Sequence, residues 1–336
     1  MDPAFRLSVA IAVFNEETVL PEVLRRVCGV LDQLHGGPHE IVFVDDGSTD
    51  RTFELLEEAA QKDPRILAVS LSRNFGHQAA LTAALDHVTG DAAVVMDGDL
   101  QDPPEVIPQF VELYDQGYDV VYAQRVRGDD PWALRLCYFA FYRIMARLSD
   151  ISLPLDSGDF GLMSHRAIDQ LRRMPEHHRY LRGLRSWVGF RQTGIPIRRG
   201  ARQSGSSKYS LLGLIKLAAD GIFAFSIVPI RAAALLGAGV MVISLFYVSY
   251  SLYAKLFLHT SPQGFTALIV AFTFLIGVVL FFLGVVGEYV GRIYEETKAR
   301  PLYIVGRVAG AYKGNAGTPA PKTSHARRLQ EREFRS

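Results

Sequence analysis

Three acidic clusters carry the chemistry this chain could do. Asn15-Glu16-Glu17, Asp45-Asp46-Gly47-Ser48 and Asp97-Gly98-Asp99-Leu100-Gln101-Asp102 each follow a short apolar run. Carboxylates this concentrated repel one another unless a cation sits among them. Their oxygens are hard ligands suited to Mg²⁺ or Mn²⁺, which bridge one or two protein carboxylates to the phosphates of a substrate. An Asp-x-Asp triplet alone is a weak signal, because Asp and Gly fill ordinary turns. Its place after an apolar run, beside two other acidic run ends, makes it stronger. Neither G-x-x-x-x-G-K-[ST] nor G-x-G-x-x-G follows a strand-like run, which argues against an ATPase or a dehydrogenase. A diphosphate held by a metal rather than by a glycine loop is the habit of sugar-nucleotide enzymes.

The elements that must position these residues alternate. Leu7–Phe14, Glu40–Val44, Ile66–Leu71, Ala92–Met96 and Val120–Tyr122 are short, rich in Val and Ile, and bounded by Gly, Asp and Pro, the pattern of buried strands. Glu17–Leu34, Thr52–Lys62 and Gln78–Val88 carry apolar residues at helical spacing, with Asp50 as a helix N-cap. Strand and helix in alternation predict an α/β fold with an open, mostly parallel sheet covered on both faces. Ligands of such sheets bind beyond the carboxyl ends of the strands, where the acidic clusters fall.

Charge divides the chain. Of 336 residues, 36 are Lys or Arg and 35 Asp or Glu, but residues 1–130 hold 24 acidic and 9 basic side chains, net −15, which leaves net +16 for the rest. The near-neutral total excludes a basic nucleic-acid binder and a disordered polyelectrolyte. Cys28 and Cys137 are too few for a disulfide framework and read as buried thiols. Leu7–Phe14 has no basic n-region of substance and leads into Asn15-Glu16-Glu17 rather than a small-residue cleavage site, so no signal peptide is expected and the first domain should be cytosolic.

Two later stretches are uncharged: Ala232–Ala254, 23 residues, and Gly264–Gly287, 24 residues. Each exceeds the roughly 20 residues a helix needs to cross a bilayer, so two transmembrane helices, 232–254 and 264–287, form a hairpin within 226–292. Arg231, Arg292, Lys298 and Arg300 flank the pair, against Lys255 and His259 between them. The positive-inside rule then places both termini in the cytoplasm. Residues 209–225 mix Leu211, Leu214, Ile215 and Phe223 with Lys216 and Asp220, as an amphipathic helix on the membrane surface would. A cytoplasmic segment, 293–312, and a disordered basic tail, 313–336, complete the chain. Trp132 and Trp187 are expected in packing or interfaces. Gly287 and Gly291 have a spacing that permits a homo-oligomer.

The runs Phe14-Asn15-Glu16-Glu17, Asp45-Asp46-Gly47-Ser48-Thr49-Asp50, Arg73-Asn74-Phe75-Gly76-His77-Gln78-Ala79-Ala80, Asp97-Gly98-Asp99-Leu100-Gln101-Asp102 and Gly158-Asp159-Phe160 together resemble the polyprenyl-phosphate glycosyltransferases. These are inverting family 2 enzymes of the Rossmann-like GT-A fold, related to dolichol-phosphate mannose synthases, and the Arg73 to Ala80 run is most similar to the bactoprenol glucosyltransferase branch. The resemblance covers roughly residues 7–300.

The resemblance implies a GT-A domain over 1–208 and a set of roles. Asp46 would read the nucleotide base, with Phe14, Glu16, Arg73 and Asp97 also on the donor; Asp97, Asp99 and Gln101 would hold the metal. Asp159 would be the catalytic acidic residue on the acceptor side, and Arg125, Arg202 and Lys208 would hold phosphate. Arg198 and Arg199 could take the place of Arg202. His77, at a helix start, could equally cap or pack. The expected reaction moves one hexose, glucose first, from a UDP-sugar to undecaprenyl phosphate on the cytoplasmic face of the inner membrane, for cell-envelope glycan or lipid modification. Because a lipid phosphate is already ionised near neutral pH, Asp159 need not remove a proton. Alternatives are GDP-mannose or another UDP-sugar as donor, a processive polysaccharide synthase, and a scaffold that binds sugar nucleotides without turnover. For the synthase, the nearest counterpart of its Gln-x-x-Arg-Trp motif is Arg182-Gly183-Leu184-Arg185-Ser186-Trp187.

Overall fold

The structure, a computed structural model, describes residues 4–125, 157–177, 179–197, 228–257 and 264–310. Arg198, Arg199, Arg202, Lys208, the expected amphipathic segment, Trp132, Cys137, His259 and the tail after residue 310 lie outside them.

These residues fall into two units. The first is built on strands β1 (Leu7–Val13), β2 (Glu40–Asp45), β3 (Ile66–Leu71), β4 (Ala92–Asp97), β5 (Val120–Arg125), β6 (Ser157–Ser164), β7 (Gln192–Ile197) and β8 (Val305–Ala309), in the sheet order β7-β5-β6-β4-β1-β2-β3-β8. The centre is parallel: β1 pairs with β2 and β4, and β2 with β3. β6 runs antiparallel between β4 and β5, and β8 antiparallel along β3. The α/β, mostly parallel arrangement is as expected. Sequence pattern does not reveal β6, β7 or β8. Each contains glycine, and β7 also Pro196, residues depleted from strands in general.

The helices of this unit are α1 (Leu20–Gln33), α2 (Thr52–Lys62), α3 (His77–His87), α4 (Ile107–Asp115), α5 (His165–Arg173) and α6 (Leu181–Trp187). α1 begins three residues later than expected, because Pro21 sits in its first turn, where a missing N–H costs nothing. Leu20, Val23, Val27 and Leu31 give it one buried stripe. Every residue of β1 is buried, at about 1.5–3 kcal/mol for each large aliphatic side chain removed from water. Phe110 of α4 meets Phe160 of β6 edge to face at 4.9 Å, which seats Asp159 beside a packed ring. Asp50 accepts from the Thr52 N–H at 3.0 Å, but the N-cap of α2 is Arg51, which makes no side-chain cap bond; the expected Asp50 cap falls one residue early, as a turn that leads into the helix. Cys28 is half-buried rather than buried.

The second unit holds two long helices, α7 (Val228–Phe257, 30 residues) and α8 (Phe265–Thr297, 33 residues). The expected spans lie within them. Large apolar side chains of both are exposed, among them Leu235, Ile243 and Phe246 on α7 and Phe272, Leu280 and Phe281 on α8. Among the described residues one segment, Phe274–Thr297, is long and apolar enough to cross a membrane by length and composition, its most apolar 18-residue window having a mean hydropathy of 2.2. A shorter apolar stretch, Leu235–Tyr247, lies in α7.

Candidate active site

The carboxyl ends of β1, β2 and β4 meet at one edge of the sheet. Asp97 closes β4 opposite Ala12 of β1, and the Gly98 N–H donates to the Ala12 carbonyl at 3.2 Å. The Gln101 N–H then donates to Asp99 Oδ1 at 3.1 Å, folding the triplet into a tight turn. Asp97, Asp99 and Gln101 therefore share one short turn, as their spacing implied.

Asp45 and Asp46 at the end of β2 act first on the backbone around them. Asp45 accepts from Ser70 Oγ at 2.9 Å and from the Ser48 N–H at 3.0 Å. Asp46 accepts from the Phe75 N–H at 2.7 Å and the Gly76 N–H at 2.9 Å, one on each oxygen. Burial pushes the Asp46 carboxyl up, and these two amides pull it back. Each oxygen keeps a second lone pair for a ligand. Gly47, at φ +70, brings the β2–α2 loop against the next one: a Cβ there would stand 2.5 Å from the Arg73 carbonyl carbon. Asn15 binds the same loop, its N–H donating to Ser48 Oγ at 2.9 Å and its side-chain oxygen accepting from the Thr49 N–H at 2.8 Å. The Glu16 N–H donates to Thr52 Oγ1 at 2.9 Å, and Phe14 stands exposed beside it. The acidic strand ends are thus stitched into one platform.

The β3–α3 loop crosses this platform and carries the centre of the site. Gly76 precedes α3, whose first residue, His77, places Nε2 3.3 Å from Asp97 Oδ1 and 3.8 Å from Asp159 Oδ2. Burial works against a charged His77 ring, but Asp159 and Asp97 outweigh it and raise its pKa. The next residue, Gln78, accepts from the Leu181 N–H at 2.9 Å and so fixes the start of α6. That helix supplies Arg182, whose Nε and Nη2 each donate to Asp159 at 2.8 Å. Burial alone would raise the Asp159 carboxyl; Arg182 and His77 hold it well below the usual carboxylate range. Arg185, one turn on, is 4% exposed. Its guanidinium lies over the Tyr122 ring, and Nη2 donates to the Gly158 carbonyl at 3.2 Å. Burial pushes it down to about 10, against the pull of Asp159.

Asp97 and Asp159, from two separate motifs, therefore face one histidine. Arg73 sits at the platform's rim, exposed, its guanidinium 4.1 Å from the centre of the Phe75 ring. Arg125 ends β5, paired with Ile197. Sequence reasoning misses His77, Gln78, Arg182 and Arg185 as functional residues. The first two stand in a motif that gives them no role of their own, and the two arginines suggest only an imperfect synthase motif. What the sequence lacks is the fold of α6 back onto β6, which no local spacing announces.

Among the described residues no group of three or more His, Cys, Asp or Glu side chains gathers as a metal site. The donor set at the β4 turn is nonetheless two hard carboxylates and an amide. That chemistry fits a cation completed by substrate oxygens and water, as Mg²⁺ and Mn²⁺ commonly are.

An open, mostly parallel sheet with reversed β6 and an acidic β4 turn defines a GT-A-type glycosyltransferase. The family model described as Glycosyl transferase family 2 matches residues 8–172. The chain is 42% identical over 311 residues to an uncharacterized glycosyltransferase, YkcC, of Bacillus subtilis (strain 168), covering 92% of this chain and 96% of the relative. It is 36% identical over 304 residues to the prophage bactoprenol glucosyl transferase homolog of Escherichia coli (strain K12), covering 90% and 99%. Among solved structures it is similar to glucosyl-3-phosphoglycerate synthase from Mycobacterium tuberculosis, at 19% identity and a TM-score of 0.43, covering 65% of this chain and 78% of that one. This chain belongs to glycosyl transferase family 2.

Proposed function

We propose that the chain is an integral-membrane inverting glycosyltransferase that moves one hexose, glucose, from a UDP-sugar to polyprenyl (undecaprenyl) phosphate at the cytoplasmic face of the inner membrane. The observation that carries this reading is the His77 bridge: residues of the donor motif and the acceptor motif lie within 3.3 and 3.8 Å of one ring. The relatives named as bactoprenol glucosyl transferases supply the acceptor class and the sugar.

In this mechanism an oxygen of the lipid phosphate forms a bond to the anomeric carbon as the bond from that carbon to the nucleoside diphosphate breaks, with inversion. Asp97, Asp99 and Gln101 would hold Mg²⁺ or Mn²⁺, which when bound would supply positive charge to offset that growing on the leaving diphosphate. Asp46, with Phe14, Glu16 and Arg73, orients the nucleotide. Asp159, kept ionised by Arg182, faces the anomeric centre and stabilises the positive charge that develops there. A carboxylate with so low a pKa is a weak base, and the nucleophile needs none. Arg125, Arg202 and Lys208 hold the acceptor phosphate.

Chain topology supports the membrane part of the reading. β7 and β8 belong to one sheet, so the chain between them crosses a bilayer an even number of times. Phe274–Thr297 is apolar enough to cross, with none of its most apolar window buried, and α7 is the partner helix in this reading. At 30 and 33 residues, the helices are about 45 and 50 Å long, enough for a hydrocarbon core of about 30 Å.

The test is transfer of labelled sugar into an organic phase by purified protein with undecaprenyl phosphate, Mg²⁺ or Mn²⁺, and a panel of UDP- and GDP-sugars. One UDP-sugar giving chelator-sensitive, single-residue transfer is the expected result. Long polymer would indicate a processive synthase, and donor binding without turnover a scaffold.

A further inference from the structure

The segment that follows α8 returns to the active-site platform. Five residues, 298–302, separate Thr297 from Tyr303. Tyr303 Oη donates to Asp86 Oδ2 at 2.8 Å. Asp86 lies in the last turn of α3, the helix that begins with His77 and Gln78. The next carbonyl, that of Ile304, accepts from the Ser72 N–H at 2.8 Å, and Ser72 is the first residue past β3. β8 then pairs Val305 with Leu71 and Arg307 with Ser70, leaving Gly306 as one extra residue, a β-bulge. Bulges bend a strand and re-aim its end; this one carries the Ile304 carbonyl to the mouth of the β3–α3 loop. Ser70, in the same stretch of β3, donates to Asp45.

We propose that Tyr303–Ala309 is a strap that positions the β3–α3 loop by holding its first residue, Ser72, and the far end of the helix that follows it, at Asp86, so that Tyr303 is a positioning residue for the donor and acceptor groups this loop arranges. Between Ser72 and Asp86 lie every loop amide on Asp46, the His77 bridge and the Gln78 acceptor that starts α6. The strap acts through Ser72 and Asp86. The loop that joins the two halves of the site is thereby tied to the chain leaving the last long helix. The role in turnover rests on the function proposed above; the role in loop geometry does not.

Amide hydrogen exchange of the full chain in detergent separates the two. In Tyr303→Phe and in Gly306→Val, the Ser72, Phe75, Gly76 and Leu181 amides exchange about fivefold faster, the equivalent of roughly one net hydrogen bond lost. Amides of β1 and α1 keep their wild-type rates. Arg307→Ala, on the same strand but over the Phe53 ring, leaves the four amides unchanged. UDP affinity falls in step with exchange in the two strap variants, while kcat at saturating donor changes less. Unchanged exchange in both variants overturns the strap, and so does equal acceleration throughout the sheet, which would mark Tyr303 as merely stabilising. Faster loop exchange in a protein whose wild type transfers no sugar keeps the strap and removes the function.

Discussion

Arg182 holds Asp159 with two N–H···O bonds of 2.8 Å each, on a carboxylate side chain only 5% exposed. A fork of this kind fixes the carboxylate plane as well as its charge. Arg182→Gln removes the fork and leaves a buried carboxylate that keeps the charges of His77 and Arg185 nearby but no guanidinium bonded to it. Loss of one member of a buried pair costs about 3–5 kcal/mol, to be read by denaturant unfolding. Turnover is expected to fall about a hundredfold, because the carboxylate is no longer aimed.

The pH behaviour follows with a definite sign. In the wild type the Asp159 pKa is depressed, so its stabilising pairing is complete above the unfolded value of about 3.9 and is lost only as pH falls through the lower folded value. The wild-type kcat profile therefore has no acid limb from Asp159 above pH about 4. In Arg182→Gln, burial pushes the carboxyl up, and kcat acquires a limb that falls as pH is lowered. Identical acid limbs in the two proteins would show that Asp159 does not depend on Arg182.

The legible part of the fold is the part held by local pattern. β1 to β4 are short, mostly apolar runs, and the acids that follow β1, β2 and β4 mark the platform in the sequence itself. β6 is hidden because Gly158 and Gly161 interrupt it, although Gly161 is there because a Cβ would stand 2.5 Å from the Val121 carbonyl oxygen. β8 is hidden for another reason: it pairs with a strand more than 230 residues earlier, and nothing in Val305–Ala309 names that partner. His77 is equally open to capping and packing in sequence, since only the return of β6 beside β4 brings Asp159 to it. Arg182 and Arg185 require both β6 and the Gln78 contact that starts α6.

That Gln78 contact is a test of its own. In Gln78→Ala the Leu181 N–H loses its side-chain acceptor, and α6 loses the tie that sets its first residue. UDP affinity should hold, because Asp46 and the loop amides are untouched. The kcat should fall about tenfold, since a small misplacement of Arg182 and Asp159 acts on the transition state alone. Equal losses in binding and turnover would place Gln78 on the donor instead.

Gly47 joins two loops by close approach rather than by hydrogen bonding. Gly47→Ala introduces a Cβ at φ +70 and 2.5 Å from the Arg73 carbonyl carbon. Strain of this type costs about 1–3 kcal/mol, visible as a lower midpoint in thermal or denaturant unfolding. Because the displaced backbone is that of Arg73 and Asn74, UDP binding weakens as well. Wild-type stability in this variant would mean that the two loops separate without cost.

Asp99→Ala addresses the cation. Asp99 shapes its turn through one hydrogen bond to the Gln101 N–H, worth about 1 kcal/mol, so the protein should fold and insert as the wild type does. Mn²⁺ binding in the presence of UDP, followed by electron paramagnetic resonance, should be lost, and sugar transfer with it. Retained Mn²⁺ binding would move the cation away from the β4 turn.

The membrane arrangement is tested by the same connectivity that supports it. With β7 and β8 in one sheet, the proposed two-span arrangement requires residues before α7 and after α8 to face one compartment and the connection between the helices to face the other. In a protein whose two native cysteines are replaced, single cysteines at His259 and at Arg300 should label from opposite sides: His259→Cys with an impermeant maleimide added outside intact cells, and Arg300→Cys only after permeabilisation. Labelling of both from outside, or of neither, would mean that the helices do not cross. They would then lie along the surface, with exposed apolar side chains such as Ile243, Phe246, Leu280 and Phe281 set against lipid as in an interfacial helix.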